Sequence, residues 1–129
     1  KAESRLSKYF NILLDNKNKQ IRVGLKPDVF FQSKSTKIKK EKLSELNYFF
    51  KTIQDKKLDI VITNHGNNLK SNSQFKAWKL SSDRSLVLAY LSQKLPHTKT
   101  HNFQVKSMTN KLSSDQGDIE LRLKFNLNK

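Results

Sequence analysis

The stretch Ile119–Phe125 alternates strictly: Ile119, Leu121, Leu123 and Phe125 are apolar, while Glu120, Arg122 and Lys124 between them are charged. Successive side chains of a strand point to opposite faces, so this pattern builds a strand with one covered face and one wet face. Such a strand needs sheet neighbours and a second layer against its apolar side.

The rest of the chain supplies both. Leu58–Thr63 (LDIVIT) is short, β-branched and bounded by polar residues, which predicts a buried strand. Gln20–Leu25 alternates, with Ile21, Val23 and Leu25 on one face. Phe103, Val105 and Ser107 suggest a further strand. Helical spacing appears three times. Leu6, Tyr9, Phe10 and Leu13 predict a helix over Glu3–Asp15, followed by a turn at Asn16–Asn18. Leu43, Leu46, Phe50 and Ile53, widened by Phe49, predict a second over Lys40–Lys56. Trp78, Leu80, Val87, Leu88 and Leu91 give the third an apolar surface over Phe75–Lys94, and Pro96 stops it.

The order α, β, α, β, α, β, β, with a βαβ crossover near Leu58, predicts an α+β fold. A mixed sheet carries helices packed on one face, with an extra N-terminal helix. No repeat or low-complexity linker divides the chain. A single domain over 1–129 is expected, with 1–18 as N-terminal helix and turn and 19–126 as core.

Composition removes several classes. The chain of 129 residues has no Cys, hence no disulfide, thiol nucleophile or Cys zinc site. No apolar run approaches about 18 residues, so no segment reads as membrane-spanning. No signal-peptide pattern is present, and any membrane attachment is expected through an anchor outside this chain. There are 26 Lys+Arg against 11 Asp+Glu, a formal charge of +15. Only four of the basic residues are Arg: Arg5, Arg22, Arg84 and Arg122. Readers of nucleic acid lean on arginine's planar fork, whereas abundant Lys and Asn follow from an AT-rich genome. No nucleic-acid partner is therefore expected. A basic nucleic-acid-binding domain is the alternative from another class, and attraction to an anionic polymer or lipid surface also fits the charge.

Catalytic and cofactor signals are absent. His97 and His101 sit four apart, but Pro96 argues against a helix there and no carboxylate is close in sequence. Gly24, Gly66 and Gly117 are isolated, so there is no phosphate-cradling loop, and no G-x-S-x-G elbow occurs. A non-catalytic chain without metal or cofactor is expected. One constellation is more specific. The strand Leu58–Thr63 exits into Asn64-His65-Gly66-Asn67, and the third helix carries Leu80, Ser81 and Arg84. These segments can converge on a concave polar site beside the sheet, where Arg84 could clamp an anionic group.

These segments resemble a known family. Ala77–Ser85 (AWKLSSDRS) resembles the N-W-E-L-S-x-x-R-A signature of the OmpA/MotB carboxy-terminal domain family. Asn64–Asn67 stands where that family carries G-H-T-D. Leu25–Ser35 (LKPDVFFQSKS) resembles its L-x-x-D-x-L-F-x-S-G-S opening, Tyr90-Leu91 falls at its Y-L pair, and Ile119–Leu121 resembles its terminal V-E-I. The resemblance spans roughly residues 20–126. It implies a periplasmic βαβαββ domain that binds the diaminopimelate of the peptidoglycan stem peptide without covalent linkage. It also implies other subunits of a secretion system, stator or lipoprotein assembly as partners.

The site residues implied are Arg84, Asn67, Asn68, His65, Leu80 and Ser81. Arg84 matches the family arginine. The family aspartate is replaced by Asn67, the Asn before Trp78 by Ala77, and the paired arginines of the terminal motif by Gly117 and Asp118. Losing a carboxylate opposite an ammonium forfeits roughly 1.5–3 kcal/mol, which is about 10- to 100-fold in affinity. The expectation is a retained fold with peptidoglycan binding weakened or lost. The alternative is retained binding through neutral hydrogen bonds from Asn67, Asn68 and His65 beside Arg84.

Overall fold

The computed structural model describes residues 2–65, 71–108 and 119–125, with the backbone alone for 2–4, 27 and 28. The alternating segments form strands. They are β1 (Phe10–Asp15), β2 (Gln20–Leu25), β3 (Leu58–Asn64), β4 (Asn102–Ser107) and β5 (Ile119–Phe125). The helices are α1 (Ala2–Ser7), α2 (Pro27–Phe30), α3 (Leu43–Thr52) and α4 (Asn72–Gln93), with a 3-10 turn at Lys40–Lys42. The sheet order is β1-β2-β5-β3-β4. β3 and β4 run parallel, joined through α4, and the other pairs are antiparallel.

Register explains the core. Phe10, Leu25, Ile119 and Asn64 form one row across the sheet. Ile12, Val23, Leu121 and Ile62 form the next, and Leu14, Ile21, Leu123 and Ile60 the third. Side chains in a row share a face. Leu46, Phe49 and Phe50 of α3 and Leu88 and Ala89 of α4 pack on this face in one cluster with the buried row members. The mixed sheet with helices on one side is thus present, as the pattern predicts.

Three expectations need correction. The first helix stops at Ser7, and Phe10–Asp15 is a strand. Its residues fit both periods, since Phe10, Ile12 and Leu14 also alternate. Pairing along β2 decides the outcome, with Ile12 opposite Val23 and Leu14 opposite Ile21. Of the residues expected to seat α4, Leu88 is buried and Leu91 packs against the core, while Trp78, Leu80 and Val87 are only half-buried and the small Ser81, Ser85, Ala89 and Ser92 fill the contact. Finally, the charged face of β5 is not wet throughout, because Glu120 is fully buried. Arg22 Nε donates to its Oε2 at 2.7 Å and Arg122 Nε to its Oε1 at 2.8 Å.

Candidate functional site

α4 begins at a capped end: the Ser71 hydroxyl accepts the backbone N–H of Gln74 at 3.2 Å. Two turns in, Trp78 Nε1 donates to the Met108 carbonyl at 2.9 Å and ties the helix to the end of β4. The next turns present Leu80 and Arg84 toward the loop that follows α2.

That loop is built for a close approach. Phe31 bridges to Ile38 across its base. The N–H of Gln32 donates to the Lys37 carbonyl at 2.9 Å, and that of Ser35 to the Gln32 carbonyl at 3.1 Å. Lys34 completes the turn with φ of 54°, a left-handed conformation that suits glycine. The family's F-x-S-G-S pattern carries glycine at this position, and here a lysine takes it.

Arg84 fastens this turn. Its Nε donates to the Ser35 carbonyl at 2.7 Å and its Nη2 to the Gln32 carbonyl at 3.1 Å. The guanidinium lies over the Phe31 ring, 4.9 Å from its centroid. The residue is only 8% exposed. Beside it opens a pocket of about 540 Å³ lined by Phe31, Ser33, Lys34, Lys39, Leu80 and Arg84. Three cationic side chains and an apolar floor suit an anionic group.

The structure brings only part of the expected site together. Leu80 and Arg84 share the pocket. Ser81 is buried, and its carbonyl accepts the Ser85 hydroxyl at 3.0 Å. His65 is buried, with Nε2 3.1 Å from Thr63 Oγ1, and does not line the pocket. Asn67 and Asn68 lie outside the described residues. Sequence reasoning missed Phe31, Ser33, Lys34 and Lys39 as pocket residues, although the first three sit inside the L-x-x-D-x-L-F-x-S-G-S segment that signals them. Asp83, the carboxylate next to Arg84, pairs instead with Lys79 at 2.9 Å.

Among the described residues no group of His, Asp and Glu could hold a metal ion. His97 Nδ1 meets Gln54 Oε1 at 2.8 Å. His101 is buried beside Phe50, both ring nitrogens without a hydrogen-bond partner among the described residues, and burial lowers its pKa. No described helix is long and apolar enough to cross a membrane.

No sequence-family profile matches the chain, and no curated protein does. Solved structures do. A cell wall anchor of the type VI secretion system from Pseudomonas aeruginosa superposes with a TM-score of 0.66 at 16% identity, over 96% of this chain and 92% of that one. The periplasmic domain of Helicobacter pylori MotB gives 0.64 at 13%, over 92% and 84%. The fold is that of the OmpA/MotB carboxy-terminal domains. An OmpA-like domain from Francisella tularensis extends the set, at 0.52 and 13%, over 95% of this chain and 87% of that one. Identity this low marks the chain as a divergent example of the OmpA-like fold.

Proposed function

We propose that this OmpA-like domain is a non-catalytic, periplasmic structural or docking module of a bacterial cell-envelope assembly, such as a secretion system, stator or lipoprotein. Its peptidoglycan binding is weakened or lost. The observation that carries this reading is the use made of Arg84. The side chain that the resemblance assigns to a stem-peptide carboxylate donates to Ser35 and Gln32 carbonyls. Those bonds take up Nε and one Nη2 proton, so the guanidinium is fixed against the turn and offers a ligand carboxylate only part of its fork. Asn67 adds a second reason, since it cannot attract an ammonium as an aspartate does. Similarity to a cell wall anchor and a MotB periplasmic domain supports the envelope setting.

One observation favours retained binding. Lys34, Lys39 and Leu80 line a pocket open beside Arg84, with room for an anionic group. Co-sedimentation with purified sacculi separates the readings. The expected result is little retention of the wild type near physiological salt, and the same for Arg84→Ala. Strong wild-type retention that Arg84→Ala abolishes, in a variant still folded by circular dichroism, establishes the binding reading instead.

A further inference from the structure

The two edges of the sheet are finished differently. β4 closes one side with Asn102, Gln104 and Lys106 on one face, and with Phe103 and Val105 half-buried on the other. A lysine and polar groups on an edge discourage further pairing. β1 closes the other side without such a guard. Its centre is Ile12-Leu13-Leu14, exposed on both faces, and no Lys or Pro interrupts Phe10–Asp15. Among the described residues no strand lies along its outer side.

The helix layer also leaves this corner bare. In the row Leu14, Ile21, Leu123 and Ile60, the last two are buried, whereas Leu14 is 67% exposed. Ile12 is 48% and Phe125 59% exposed. A groove of about 310 Å³ runs along Leu14, Ile21, Leu123 and Phe125, with Lys19 at its rim. An apolar patch joined to an open strand edge is the form taken by sites that accept an added strand.

Charge selects the occupant. Lys8 precedes β1, and Lys17 and Lys19 follow it. The acid within the strand, Asp15, lines the groove as an anion, but its carboxylate is taken up by the Asn18 and Gln20 side chains, and Lys8, Lys17 and Lys19 outnumber it. A second copy is disfavoured. Antiparallel self-pairing centred on Leu13 would match Ile12 with Leu14 but set Lys8 of one copy beside Lys17 and Lys19 of the other. Like charges at close quarters oppose that pairing, as does +15 on each chain. We infer that the β1 edge receives an extended segment of a partner polypeptide in which apolar residues alternate with acidic ones. Its apolar side chains cover Ile12, Leu14 and Phe125, and its carboxylates meet the lysines at the strand ends.

The probe is a synthetic eight-residue peptide of alternating Glu and Val, titrated into the ¹⁵N-labelled full chain. The expected result is saturable shifts centred on Asn11–Leu14, with amide exchange there slowed at least tenfold. A Glu/Ser peptide of equal charge is expected to bind at least tenfold more weakly. Leu14→Lys, at an exposed position that leaves the fold intact, is expected to weaken the Glu/Val peptide by a similar factor. Shifts scattered over the lysines, or equal binding of the Glu/Ser peptide, would overturn the inference. So would sedimentation showing a dimer of the chain alone that Leu14→Lys dissociates.

Discussion

On the face of the sheet away from the helices, Arg22 and Arg122 converge on Glu120; on the helix side, Arg84 reaches the carbonyls of Gln32 and Ser35. The first cluster sets charge against charge between two strands paired in register, Arg22 directly opposite Arg122. The second sets a cation against backbone dipoles, and joins a helix to a turn 49 and 52 residues earlier. Removing the carboxylate from the first would leave two guanidiniums side by side over a buried gap. Removing Arg84 would leave the Ser35 carbonyl to water from the open pocket, while the Gln32 carbonyl keeps the Ser35 N–H. One cluster is a fixture of the sheet, and the other is a local fastening at the rim of a candidate site.

The largest effect is therefore expected at Glu120. Glu120→Ala should lower unfolding free energy by about 3–5 kcal/mol, read by urea denaturation; a loss under roughly 1 kcal/mol would mean the triad does not hold β2 to β5. Arg84→Ala should cost less, about 1.5–3 kcal/mol, because water and the Ser35 N–H take over the acceptors that Arg84 releases. Its amide exchange should quicken over Gln32–Lys37 while β2 and β5 keep their protection. Uniform quickening would erase the distinction between the clusters.

Smaller effects refine it. Lys34→Gly should stabilise by about 0.5–1 kcal/mol, because glycine takes the left-handed turn without steric cost but loses more chain entropy. A destabilised variant would show that the lysine itself holds the pocket. His101 contrasts with these three arginines: among the described residues neither of its ring nitrogens has a hydrogen-bond partner. Burial lowers its pKa below the ordinary 6.5, so the folded state binds fewer protons than the unfolded state just below that value. Stability should be full above about pH 6.5, decline as pH falls through that value, and level off below the folded pKa. His101→Phe should flatten that part of the pH profile; an unchanged slope would assign it to other groups.

Much of the fold was legible in the sequence because period and burial agree there. Leu58–Thr63 and Ile119–Phe125 are strands within a residue of their expected limits. β1 was misread because Leu6, Tyr9, Phe10 and Leu13 fit a helix as well as Phe10, Ile12 and Leu14 fit a strand. Only the partner strand settles such a tie. The burial of Glu120 was hidden for a related reason: one of its two arginines, Arg22, is 98 residues away in sequence. At the site, the motif pointed to Arg84 but not to its acceptors. Backbone carbonyls carry no side-chain signature, so the loop that Arg84 holds is visible only once the chain is folded.

The central claim is that Arg84 serves the turn rather than a ligand. The most direct measurement follows the Arg84 Nε–H resonance while a diaminopimelate-containing stem peptide is titrated into the labelled chain. The expected result is a resonance that stays in place at millimolar peptide, with Asn67→Asp the variant in which it first moves. A saturable shift in the wild type at micromolar peptide would contradict the claim.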